Sequence, residues 1–121
     1  MHDDRLRRHE AAAAPEDLGR MFVERANAGD VAGLVALYEA DAVLALPTGQ
    51  ATGTQQIRQA YEHLLADKPT FTPGEQQPAL VNGDLALTST RLTDGAVTVE
   101  VARRQPDGTW LWAVDQPNIL G

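Results

Sequence analysis

The sequence predicts one small α+β domain with its helices first and an antiparallel sheet after them. Three observations carry this. Apolar residues before Lys68 recur at the three-four spacing of helix faces, the chain after Thr70 divides into strand-length segments at Asn-Gly and Asp-Gly turns, and no linker separates the halves. Helices and sheet must therefore pack on each other to bury their apolar faces.

The first 14 residues mix charges with Ala11-Ala12-Ala13-Ala14 and meet Pro15, which predicts a flexible or helical tail before a domain spanning 15–121. Pro15 suits a first helical turn, where its missing N–H is not needed, and Glu16 and Asp17 complement the positive helix end. Leu18, Met21, Phe22 and Ala26 share one face, and Asn27-Ala28-Gly29 stops the helix. Asp30 caps a second helix with Val31, Leu34, Val35, Leu37 and Tyr38 as its stripe. Ala42 to Leu46 reads as a strand closed by Pro47, with a small hairpin loop after it. Thr54 caps a third helix carrying Ile57, Ala60, Tyr61, Leu64 and Leu65, which Lys68-Pro69 ends. A meander of four strands follows, Phe71 to Val81, Leu85 to Leu92, Val97 to Gln105 and Thr109 to Gln116, separated by Asn82-Gly83-Asp84, Thr93-Asp94-Gly95 and Pro106-Asp107-Gly108.

At 121 residues the chain has room for one real core and no second domain. The absence of cysteine removes disulfides, thiolate metal sites and cysteine nucleophiles together. A formal charge of −7 repels phosphate backbones, so nucleic acid is not an expected partner. No apolar run of ~20 residues offers a membrane span, and the charged opening lacks the apolar centre of a secretory signal, so a cytoplasmic protein is expected. Nine of the ten basic residues are arginine and alanine is abundant, a composition that fits a GC-rich bacterial genome.

Gly29-Asp30 between the first helices, Tyr38 through Leu46, Gly53-Thr54 with Ile57, Tyr61 before the sheet, and Asp107-Gly108-Thr109-Trp110 leading to Asp115 occur in an order that resembles the nuclear transport factor 2-like superfamily, in its SnoaL-like and DUF4440-type branches. The resemblance covers roughly Pro15 to Asn118. It implies a cystatin-like cone, in which a strongly curved sheet wraps the first helix and the open end leaves a pocket. It also implies a homodimer formed sheet to sheet. Relatives include a ketosteroid isomerase, polyketide cyclases, a scytalone dehydratase and a limonene epoxide hydrolase, so the fold alone does not give the chemistry.

Asp115 is the candidate catalytic residue. It ends an otherwise apolar strand, relatives tend to carry an aspartate near the pocket there, and a carboxyl group in an apolar cavity can move protons near neutral pH. The plainer reading is a polar strand end. Strict alternation sets Asp115 on one face with Leu111 and Ala113, and Trp110, Trp112 and Val114 on the other, unless a bulge shifts the phase. Phe22, Tyr38, Tyr61, Trp110 and Trp112 are candidate pocket aromatics, or simply core. Arg91 shares an alternating face with Leu85, Leu87 and Ser89; it either projects inward to pair with Asp115 or an anionic ligand, or reaches solvent beside Asp94. Glu100, out of phase with its neighbouring valines, is expected on the outer side of the sheet.

No relay of the epoxide-hydrolase kind is complete, since only Arg91 and Asp115 offer part of one. The tyrosine and two acids of a steroid isomerase are matched best by Tyr38, Asp41 and Asp115. The paired histidines of a dehydratase are missing, because only His63 lies outside the tail. No metal site and no cofactor is expected. The leading reading is a domain that binds a small apolar molecule; the alternatives are an isomerase, cyclase or dehydratase acting on a polyketide- or steroid-like metabolite, and a protein-interaction module.

Overall fold

The computed structural model describes residues 10–121; the expected tail over residues 1–9 lies outside them. Helix α1 spans Asp17–Asn27 and α2 spans Val31–Val35. Between them the chain reverses through Gly29 at φ 69°, where the Gly29 N–H donates to Ala26 O and the Asp30 N–H to Arg25 O. These bonds satisfy carbonyls that a helix end leaves orphaned, and the left-handed residue they require is disfavoured for any side chain beyond glycine. Asp30 then caps α2, its carboxylate accepting from Gly33 N at 2.9 Å.

Strand β1 runs Tyr38–Leu46 and turns through Pro47-Thr48 into β2, Gly49–Thr52. Tyr38, expected to end the second helix, instead begins β1, because α2 stops at Val35; Leu34, Leu37 and Tyr38 are spaced to satisfy either assignment. Helix α3, Gly53–Leu64, continues into a tighter turn over Leu65–Asp67 and stops at Lys68 in the left-handed region. Its cap is Thr52 rather than Thr54, and Gln56 Oε1 accepts from Thr52 N at 2.8 Å.

The first segment of the expected meander is broken. Pro73 and Pro78 cannot donate to a ladder, so only β3 (Glu75–Gln76) and β4 (Leu80–Asn82) pair with β5 (Leu85–Arg91). Strands β6 (Val97–Arg104) and β7 (Trp110–Gln116) complete the sheet in the order β2-β1-β7-β6-β5-β3, with β4 also on β5. All its pairings are antiparallel except β1 with β7, so the sheet is mixed.

Leu18, Leu34, Leu37 and Ile57 are fully buried where the helices meet. Ala12 joins this core and bridges Trp110, its carbonyl oxygen accepting from Trp110 N at 3.0 Å, so the docked chain includes residues expected to be tail. The Arg25 guanidinium is buried as well; Nη1 donates to Gly33 O at 2.7 Å and Nη2 to Glu10 O at 2.6 Å, tying α1, α2 and the leading segment together. No helix among the described residues is long and apolar enough to cross a membrane.

An added Cβ at Gly33 would collide first with the Asp30 carboxylate that caps α2 and then stand 2.9 Å from Arg25 Cδ. Gly33→Ala is therefore expected to lower unfolding stability by about 1–3 kcal/mol in urea titrations, since the cap and the guanidinium must both shift from their bonded positions. Unchanged stability would show that Asp30 and Arg25 move aside freely.

Candidate functional site

Strand β7 does not keep strict alternation. Ala102 of β6 pairs with Trp112 and Val101 with Val114, so Ala113 is an extra residue without a partner. This β-bulge shifts the phase by one, and Trp110, Trp112 and Asp115 all come to the buried face, while Val114 stands outside. On the other side of β7, Tyr38 pairs with Trp112 and Leu44 with Asp115, across a wider irregularity in β1 between Tyr38 and Val43.

The buried face closes around a cavity of about 820 Å³. Phe22 and Val23 of α1, Leu44 and Leu46 of β1, Tyr61 of α3 and Trp112 give it apolar walls; Thr88, Thr98, Glu100 and Asp115 give polar points along β5, β6 and β7. The segment 70–74 borders it too, held by Asn27, whose Nδ2 donates to Phe71 O at 2.9 Å and whose Oδ1 accepts from Phe71 N at 2.7 Å. Phe71 meets Phe22 edge-on with centroids 5.6 Å apart. The exposed residues Glu16, Arg20, Glu24, Leu64 and Asp94 surround the mouth.

Asp115 is 6% exposed, and its Oδ2 accepts a hydrogen bond from Tyr38 Oη at 2.5 Å. Tyr38 Oη is also 2.5 Å from Tyr61 Oη. A phenol has one proton, so when Tyr38 gives its proton to the carboxylate, the second bond runs from Tyr61 to Tyr38. The result is a directed chain from α3 through β1 to β7.

Burial pushes the Asp115 carboxyl up to about 7, the neighbouring Glu100 adds to the rise, and the Tyr38 bond opposes it. Tyr38 is pushed well above the usual phenol range by burial and then by the Asp115 charge; Tyr61 is raised for the same two reasons. Both phenols therefore remain proton donors. Glu100 is raised by burial, against the Thr98 and Thr88 hydroxyls, and Thr88 Oγ1 donates to Glu100 Oε1 at 2.7 Å.

Glu100 corrects the expectation that it faces outward. It is 6% exposed, lies on the cavity wall and pairs in register with Asp115. The phase of β5 is likewise reversed: Ala86 and Thr88 are buried, whereas Leu85 and Leu87 are exposed. Arg91 follows the exposed set, pairs with Glu75 at 3.1 Å with its side chain 63% exposed, and does not reach Asp115 or the cavity. Of the remaining candidates, Phe22, Tyr61 and Trp112 border the cavity; Tyr38 is buried behind it, bonded to Asp115; Trp110 is core beside Ala12. Asp41 is exposed, so the acid that joins Tyr38 and Asp115 is Glu100. No group of three His, Cys, Asp or Glu among the described residues is placed to hold a metal ion.

Asp115 in the folded chain keeps its proton up to about pH 7, whereas an exposed aspartate loses it near 4. Between those values the folded state binds more protons than the unfolded one, so stability falls as pH rises through this window and is level above it; Glu100 acts in the same direction. Urea unfolding from about pH 4 to about pH 8 is expected to show a loss of order 2–4 kcal/mol in the wild type and a much flatter profile in Asp115→Asn. Equal slopes in the two proteins would mean that Asp115 titrates as an exposed group.

A SnoaL-like domain matches residues 20–118. Among solved structures, a ketosteroid isomerase-like protein from Erwinia carotovora atroseptica shares 20% identity over 84% of this chain and 89% of its own, with a TM-score of 0.65. A cystatin-like protein of unknown function from Nostoc punctiforme shares 21% over 83% and 84%, at 0.64. An NTF2-like protein with a cystatin-like fold from Novosphingobium aromaticivorans shares 21% over 88% and 80%, at 0.59. No protein of curated function matches the sequence. At these identities the structures establish an NTF2-like, cystatin-like fold, and the match over residues 20–118 establishes the family: the chain belongs to the SnoaL-like domains.

Proposed function

We propose that this domain binds a small, largely apolar molecule in the cavity and exchanges a proton with it through Asp115. The observation that carries the reading is one carboxyl group, buried on the wall of an apolar cavity, raised to about 7 and held by Tyr38. A cavity of about 820 Å³ is in the size range of sites that enclose a small organic ligand. A group titrating near neutrality has both its acid and its base form available, which is the requirement for general acid–base catalysis. As the base, Asp115 takes a proton from the ligand while Tyr38, backed by Tyr61, steadies the carboxylate; as the acid, it returns the proton to another atom. An isomerase, cyclase or dehydratase reaction uses these steps, and the ketosteroid isomerase-like relative has the same fold.

Fluorescence titration with 2-naphthol is the direct check of binding. Saturable binding is expected, weakened about tenfold or more by Val23→Trp, which puts a larger side chain on the cavity wall. Carbon-13 NMR of the Asp115 carboxyl is expected to show a midpoint near 7; a midpoint near 4 would remove proton exchange and leave a binding domain.

A second copy of the chain is the partner we propose for the outer face of the sheet. Leu80, Leu87, Val101, Val114 and Val43 pair in register into one row across β4, β5, β6, β7 and β1. Leu80 is 69% exposed and Val114 46%, an apolar stripe that self-pairing would cover. Sedimentation velocity is expected to give a dimer for the wild type and a monomer for Leu87→Lys; a monomeric wild type at high concentration overturns the pairing.

A further inference from the structure

The buried carboxyls on the cavity floor are held by neutral hydroxyls alone: Tyr38 on Asp115 Oδ2, and Thr88 on Glu100 Oε1 with Thr98 beside it. Asp115 Oδ1 accepts no hydrogen bond among the described residues, and both side chains border the cavity. The two groups sit opposite one another on β6 and β7, so each disfavours the charge of the other. Buried carboxylates ordinarily have a cationic partner. None is supplied among the described residues. Of these, Arg20 is the one basic residue bordering the cavity, and its exposed guanidinium is within 3.4 Å of Glu24 and 4.0 Å of Asp17.

The remaining charges deepen the same field. Glu16, Glu24 and Asp94 ring the mouth, and Tyr38 and Tyr61, the titratable groups that β1 and α3 bring to the floor, stay neutral. An anionic ligand is repelled by this set of acids, whereas a cation is concentrated by it. The walls add a second attraction. The rings of Phe22, Tyr61 and Trp112 adjoin one another, with Phe22 6.1 Å from Tyr61 and 6.3 Å from Trp112. Aromatic faces next to carboxylates are a favourable setting for an organic ammonium group.

We infer that the ligand of this cavity is an apolar amine, its hydrocarbon body among Phe22, Tyr61 and Trp112 and its ammonium group between Asp115 and Glu100. This rests on the reading of the cavity as a binding site. An ammonium seated there supplies the missing counter-charge to both acids. It also holds Asp115 in its carboxylate form, so the bound ligand itself prepares the base, and Asp115 gives up a proton to buffer as the cation arrives.

The test is isothermal titration calorimetry on the full chain near neutral pH with three probes of one skeleton: 2-naphthylmethylamine, 2-naphthylmethanol and 2-naphthoate. The amine is expected to bind about tenfold or more tighter than the alcohol, and the carboxylate most weakly. Phosphate and Tris buffers, which differ in ionisation enthalpy, are expected to reveal net proton release with the amine and none with the alcohol. Glu100→Gln preserves the shape of the floor and the Thr88 contact, and is expected to reduce the preference for the amine, as is Asp115→Asn; circular dichroism verifies that each variant is folded. An amine preference unchanged in both folded variants overturns the assignment to these residues. Equal binding of amine and alcohol overturns the inference and leaves the cavity reading standing. No saturable binding of any probe overturns both.

Discussion

Trp112 and Asp115 lie three positions apart, an odd spacing that a regular strand divides between its two faces. The unpaired Ala113 absorbs that difference, and the candidate site depends on it. With the bulge in place, Trp112 can serve as wall and Asp115 as floor of one cavity, and Tyr38, opposite Trp112 on the parallel neighbour, has its hydroxyl beside the carboxylate. Tyr61 completes the arrangement from α3, the helix that follows the β1–β2 hairpin. The site thus draws on three elements distant in sequence, brought together by one irregular strand.

Strands β5 and β6 carry their large apolar and their polar residues on the sides opposite to those of an ordinary core. Thr88, Thr90, Thr98 and Glu100 line the enclosed side of β5 and β6, where the cavity takes the space that large side chains would otherwise fill. Leu85, Leu87 and Val101 take the outer side. This explains why the sequence placed Glu100 on the wrong side and left the direction of Arg91 open. Alternation gives two faces but does not label them, and assigning the apolar face to the interior is valid only where the interior is filled. The threonines of β5 and β6 were the available signal: a row of small polar residues in register with an acid marks a cavity wall.

Other parts were legible because their signals are local. The stop at Gly29, the cap at Asp30 and the three hairpin turns of the sheet fall where the turn residues place them. The order of helices and strands followed from periodicity, although Tyr38 fitted a helical stripe as well as the strand it begins. For Asp115 the sequence posed the alternatives, a regular strand or a bulge, without deciding between them, because Ala113 has no distinguishing side chain. Arg25 gave no signal at all: an arginine in the last turn of a helix normally belongs to solvent, and its burial depends on two carbonyls from segments before and after it.

Pro73 and Pro78, described above as breaking the first segment of the meander, also determine how the sheet terminates. The β3 end of the sheet is two residues long and flanked by prolines, and the β2 end is four residues long and followed at once by α3. Neither end offers an extended row of free amides and carbonyls to a further strand. With its margins blunted, the sheet has its apolar outer face left for association, and in the face-to-face pairing proposed above that face would be used up by its own copy. Such an assembly would be self-limiting, with no template left for open-ended stacking.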